Sequence, residues 1–150
     1  MSLEIIKISR TQTGSLYKLL ENKHNITIKF TNIKPLFKPD KYYNNFYIKW
    51  RINIENIHKI LKLEKYMGLY FQKNVKSNLL KKENYPLMLN TKFTSTKNNP
   101  IIIDGDLTSV PEFIESNLDK SYNISIEFGK IFADDDTVKY PLIIRDISVC

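Results

Sequence analysis

A mainly β chain closing as a small Greek-key barrel, with one helix in mid-chain and a long C-terminal β-hairpin, is the fold that these 150 residues predict. Three observations predict it. Apolar residues alternate with polar ones over much of the chain, the period of half-buried strands. The period changes once, in mid-chain, to helical spacing. Only 4 Gly and 6 Pro punctuate the sequence, and no repeat, low-complexity tract or linker divides it, so residues 1 to 150 read as one domain.

Leu3, Ile5, Ile6 and Ile8 make a first short strand. Ile26, Ile28 and Phe30 alternate with Thr27, Lys29 and Thr31, a second strand with one polar face. Pro35 and Pro39 then forbid a continuous central strand, so Lys34 to Asp40 reads as a loop. The longest strand signal runs from Tyr43 to Ile54. Phe46, Ile48, Trp50, Ile52 and Ile54 share its core face, and Tyr47, Lys49, Arg51 and Asn53 share the other. Ile57, Ile60, Leu61, Glu64 and Tyr66 follow helical spacing, which predicts a helix from about Asn56 to Met67 that stops at Gly68. Leu69 to Asn84 is strongly basic and fits neither period.

Leu87, Leu89, Thr91 and Phe93 read as another strand, followed by a polar turn over 95–100. Ile101 to Asp106 is a short buried strand closed by a turn. Ser109 with Glu112 forms a capping box opening a short helix to Leu118. Ile124, Ile126 and Phe128, a turn at Asp134 to Asp136, and a return from Tyr140 to Val149 make the closing hairpin. Five to seven strands with a helix between the third and fourth fit a barrel of OB type; a β-sandwich is the alternative.

Composition excludes several function classes. The one cysteine, Cys150, allows no internal disulfide and no Cys-based zinc site, and the two histidines, His24 and His58, are too few for a His-based one. No apolar run reaches the roughly 18 residues of a membrane span, and the N-terminus lacks a signal pattern. A soluble, intracellular protein, cytoplasmic and away from membranes, is expected. Asp104, Asp106 and Asp134 to Asp136 match no metal-ligand spacing and read as turn chemistry. No Ser-His-Asp set and no Gly-rich phosphate loop is present. The expectation is a non-enzymatic protein without cofactor or metal.

Charge is more informative. The formal net charge is +7, with residues 1 to 82 carrying +12 and residues 83 to 150 carrying −5. A surface polarised in this way suits a polyanion. Lys, Asn and Ile make up 56 of the 150 residues, which suggests an AT-rich coding source, so Lys in place of Arg cannot be read as a functional choice.

Basic residues interleave with aromatics as single-stranded nucleic acid requires: cations track the phosphates while rings stack on unpaired bases, each stack worth roughly 1–3 kcal/mol. Tyr17 with Lys18 is one such pairing. The densest patch covers residues 41 to 50, and its candidates are Lys41, Tyr42, Tyr43, Tyr47 and Lys49, flanked by Lys38 and Arg51. Lys73 and Lys76 in the unassigned basic stretch are further candidates.

Residues 89–104, in which a strand with alternating lysines runs into Pro100, three isoleucines and Asp104, resemble a stretch of the OB-fold replicative single-stranded DNA-binding proteins of phages and large DNA viruses. Residues 124–132 and 140–149 are similar to the closing hairpin of that family. The resemblance covers about 60 residues, and implies an OB core that coats single strands displaced during replication. It makes Lys92 and Lys97 phosphate-backbone contacts and replication proteins further partners. The chain ends Ser148-Val149-Cys150 where that family carries an acidic tail with a terminal aromatic, and Lys120-Ser121-Tyr122 stands in place of a family glycine. The expected function is therefore sequence-independent coating and protection of single-stranded DNA at a viral, phage or plasmid replication site. RNA is a partner by the same physics, and the alternative from another class is a viral structural or protein-interaction β-sandwich.

Overall fold

The computed structural model describes residues 2–42, 45–53, 57–94, 102–103, 106–107 and 110–150. The chain begins with β1 (Leu3–Arg10), β2 (Ser15–Glu21) and β3 (His24–Asn25), followed by β4 (Thr27–Pro35), β5 (Asp40–Tyr42) and β6 (Asn45–Arg51). Helix α1 (His58–Phe71) leads to β7 (Asn74–Val75), β8 (Leu79–Leu80) and β9 (Met88–Thr94). Then come β10 (Ile102–Ile103), β11 (Asp106–Leu107), α2 (Val110–Ser116), β12 (Tyr122–Phe128), β13 (Ile131–Ala133), β14 (Thr137–Lys139) and β15 (Leu142–Val149).

Five strands close into a barrel. β4 pairs with β6, β6 with β9, β9 with β15, β15 with β12, and β12 again with β4. All of these ladders are antiparallel except β9–β15. With the barrel strands counted in chain order, the circuit is 1-2-3-5-4-1, the OB arrangement, and closure leaves no barrel edge unpaired. The alternation in β6 is realised: Ile48, Trp50 and Ile52 are buried inside, while Tyr47, Lys49 and Arg51 face out. Tyr43 and Ile54 lie outside the described residues.

A second sheet, in the order β1-β2-β13-β14-β7 with β3 beside β2, sits next to the barrel. Helix α1 packs on it: Tyr66 Oη donates to the Leu3 carbonyl (3.0 Å), Lys59 pairs with Glu21 (2.9 Å), and the Phe71 and Tyr17 rings meet at 4.9 Å. The closing hairpin therefore has two parts. β12 and β15 pair in the barrel, and the connection between them folds as the β13–β14 hairpin of the second sheet. Gly129 is where the chain leaves the barrel. A Cβ there would lie 2.5 Å from Pro141 Cγ and 2.9 Å from Ile143 Cδ1, so the outgoing and returning strands can approach only around glycine.

Four sequence expectations are corrected. Helix α1 runs through Gly68 and ends at Gln72, which takes the left-handed conformation (φ 53°). Burying Phe71 against Tyr17 carries the helix one turn past a glycine that costs only about 1 kcal/mol. β4 continues to Pro35, which pairs opposite Trp50 at the strand's end, where a missing N–H is tolerated. The stretch 69–84, which fits neither period, is ordered: its first residues end α1, β7 pairs with β14 and β8 with β9, tying the second sheet to the barrel. In the barrel count, α1 falls between the second and third strands, and α2 lies between the third and fourth. Ile102–Ile103 pairs with Asp106–Leu107, whereas Asp104, Gly105 and Ser109 lie outside the described residues.

Among the described residues the interior is apolar but for Thr91 and Ser125, and Thr91 serves Trp50. Its Nε1–H donates to Thr91 Oγ1 (2.8 Å), whose own hydroxyl donates to the Ile48 carbonyl (2.9 Å), and the indole meets Tyr122 edge to face at 5.6 Å. Thr91→Val keeps the shape and removes both bonds, leaving the indole N–H buried without a partner. It is expected to lower unfolding stability by about 1–3 kcal/mol. Denaturant unfolding followed by the fluorescence of Trp50, the chain's one tryptophan, measures this. An unchanged midpoint would show that the indole does not depend on Thr91.

Candidate nucleic-acid interface

The outer face of β6 and β9 is built in register. Asp40 of β5, Tyr47 of β6 and Lys92 of β9 lie side by side across three strands, and Lys49 is opposite Asn90. Directly opposed residues of a sheet share a face, so this row is fixed by backbone pairing alone. The β13–β14 hairpin rises beside it and turns the face into a groove.

One part of the groove holds about 270 Å³, with Tyr47, Asn90 and Lys92 on the barrel side and Lys130, Phe132 and Lys139 on the hairpin side. An adjoining part of about 410 Å³ shares Lys92, Lys130 and Pro141 and adds Lys18 and Arg145. Arg145 Nε donates to Glu127 at 2.7 Å. Among the described residues, no carboxylate comes within ion-pairing distance of Lys92, Lys130 or Lys139. The groove is thus lined by cations on both walls, with one aromatic ring from each wall.

Its floor is rigid. Tyr140 stacks on Phe128 with centroids 4.9 Å apart and rings parallel to within 1°. Its hydroxyl donates to Glu64 Oε2 of α1 (2.7 Å), while Asn78 Nδ2 donates to the Tyr140 carbonyl (2.7 Å). Burial first, and the Glu64 charge second, push the Tyr140 hydroxyl far above its ordinary pKa, so it stays a neutral donor.

The hairpin's turn is held by Asp134, whose Oδ1 accepts from the Thr137 amide (2.7 Å) and the Asp136 amide (2.9 Å). Those two amides, Thr137 first, hold the Asp134 carboxyl below the usual carboxylate range. From the other side, Lys73 Nζ donates to the Asp134 carbonyl.

The sequence-predicted residues are distributed unevenly over this geometry. Tyr47 and Lys92 meet in the groove. Lys49 lies on the same face, 3.6 Å from Asp40, and Arg51 lies farther along the strand, opposite Lys34. Lys38 is exposed and 3.6 Å from Glu115. Lys41 sits 5.8 Å over the Phe46 ring, and Tyr42 beside it is 63% exposed. Lys73 braces the hairpin turn from outside the groove; Lys76 is exposed between β7 and β8, with its amide donating to the Val138 carbonyl. Neither lines the groove. Tyr43 and Lys97 lie outside the described residues.

Sequence reading missed the hairpin wall of Lys130, Phe132 and Lys139. Their alternation was visible, but only the pairing of β13 with β2 and β14 fixes which way they face.

No family model matches the sequence, and no curated protein matches it. The structure is similar to that of a single-stranded DNA-binding protein from bacteriophage Enc34 in C-terminally truncated form. The TM-score is 0.53 at 12% identity, over 97% of this chain and 94% of that one. It is also similar to the bacteriophage Enc34 single-stranded DNA-binding protein in complex with ssDNA, with a TM-score of 0.51 at 10% identity, over 98% and 95% of the two chains. Likeness at this identity establishes a shared fold.

The Asp134 turn gives a pH test. A carboxyl whose pKa is lowered on folding contributes fully above its unfolded value, about 4, and the contribution is lost as pH falls through the lower folded value. The Thr137 and Asp136 amide resonances are expected to titrate with an apparent pKa below about 4, and Asp134→Asn should abolish that titration. An apparent pKa at or above about 4 would show that the amides do not hold the carboxylate.

Proposed function

We propose that this protein binds single-stranded DNA in the groove between the β6–β9 face and the β13–β14 hairpin, and that it coats and protects single strands during replication. The observation that carries the reading is the pairing of rings with cations across the groove: Tyr47 and Lys92 on one wall, Phe132, Lys130 and Lys139 on the other. A duplex keeps its bases stacked inside, whereas a single strand offers bases to the rings and phosphates to the lysines. Support also comes from the shared fold, since one structure with that fold is of a phage protein in complex with ssDNA.

In this mechanism the lysines replace counterions on the phosphates, and the gain is the entropy of ion release. Tyr47 and Phe132 stack on bases of any identity, so binding is largely independent of sequence. The Lys49–Asp40 pair does not oppose this, because an exposed pair is worth at most about 1 kcal/mol and can be exchanged for a phosphate. The protein acts as a binding protein with no chemical step. Among the described residues, no three His, Cys, Asp or Glu side chains cluster to hold a metal ion, and no helix is long and apolar enough to cross a membrane. The reading places the protein inside the cell, at the site of a viral, phage or plasmid replicon, with replication proteins as further partners.

Fluorescence anisotropy with a single strand, its duplex and RNA of the same sequence, at low and moderate salt, tests this. Single-stranded DNA is expected to bind more tightly than duplex, and affinity should fall steeply as salt rises. Tyr47→Ala should weaken binding about 5- to 100-fold. Lys92→Ala should reduce the slope of log K against log salt by about 0.7. Equal or absent binding to single strand and duplex would overturn the proposal in favour of a protein-interaction domain, and preference for the RNA would change its partner.

A further inference from the structure

A second pairing of rings and cations lies outside the groove. Phe37 follows β4, Tyr85 precedes β9, and their rings meet edge to face with centroids 5.6 Å apart. The two connections approach β6 from opposite sides. The Leu36 amide donates to the Lys49 carbonyl (3.0 Å), and the Ile52 amide donates to the Leu87 carbonyl (3.3 Å). The aromatic pair is thus anchored beside Lys49 and Arg51, on the strand that carries Tyr47 into the groove. Arg51 is exposed and paired in register with Lys34 of β4, and both line a polar hollow of about 470 Å³.

An edge-to-face contact stabilises two loops, and stapling them explains why the rings touch. It does not explain why Phe37 remains 40% and Tyr85 50% exposed. Rings that brace each other while facing water are already ordered, so a base that stacks on them incurs little of the usual ordering cost.

We infer that Phe37 and Tyr85 form a second base-stacking subsite, with Arg51 and Lys34 holding the adjoining phosphates. The inference rests on the groove reading above: the strand leaves the groove at Tyr47, follows the outer face of β6 and passes over the aromatic pair. Tyr47 and Arg51 are separated by about 13 Å of extended strand, so an oligonucleotide of about 3 nucleotides seated in the groove stops short of the second subsite. Glu83, in the same connection as Tyr85, and Glu115 and Asp40, paired with Lys38 and Lys49, are nearby carboxylates that work against a phosphate there.

The test compares thymidine oligonucleotides of about 3 and about 20 nucleotides, against the unsubstituted chain and the Phe37→Leu/Tyr85→Leu double variant. Leucine keeps an apolar contact between the loops and removes the ring faces. The double variant is expected to bind the short oligonucleotide as the unsubstituted chain does and to lose about tenfold or more on the long one. A long oligonucleotide carrying 5-iodouracil should photocrosslink to Tyr85, and a short one should not. Unchanged affinity for both lengths overturns the subsite, as does an equal loss on both, which would be a shape defect transmitted to the groove. If the unsubstituted chain binds neither length, the groove reading itself fails and the subsite falls with it.

Discussion

The close approach of the chain to itself at Gly129 is the constraint on which the rest of the structure depends. β12 and β15 are neighbours in the barrel, and between them the chain must depart, build β13 and β14, and come back at Pro141 without breaking the ladder. The inserted hairpin leaves the barrel there and joins the second sheet. There it meets β2 on one side and β7 on the other, which completes the second sheet. The groove is a by-product of that geometry: a flat barrel face becomes a channel because a hairpin stands beside it.

Electrostatics then distinguishes parts of the basic surface that composition alone treats alike. Lys38, Lys49 and Lys59 have carboxylate partners within 4 Å, and Lys73 is engaged by a carbonyl. Lys92, Lys130 and Lys139 converge on one channel from two sheets. Glu127 lines the channel as well and is paired with Arg145, so among the described residues these three lysines have no carboxylate within 4 Å and repel one another at a cost that a polyanion relieves. The sequence places its acidic excess in the second half, yet all three of these lysines lie in that half, Lys130 and Lys139 at the two ends of the hairpin.

Legibility of the fold in the sequence followed the strength of alternation. β6 was readable because one face is wholly apolar and the other wholly polar, and Tyr47 was picked out on that basis. β2 was not, because Ser15 to Glu21 is at least partly covered on both faces, by neighbouring strands and by α1, and carries no alternation. Gly68 misled because a glycine stop and a tolerated helical glycine look the same until Phe71 finds Tyr17. Half of the groove was legible for the same reason: Tyr47 and Lys92 are on long strands, whereas Lys130, Phe132 and Lys139 face the channel only because of pairings to distant segments.

Segment 72–80 touches both sheets, through β7 on β14 and β8 on β9, with Asn78 joined to the Tyr140 carbonyl between them. It works as a cross-tie. For the channel to widen, the hairpin would have to break the β7 pairing and the Asn78 bond together. The channel's width is therefore set by contacts within the chain, and on the proposed reading a strand would enter a preformed channel and leave it without a gate to open.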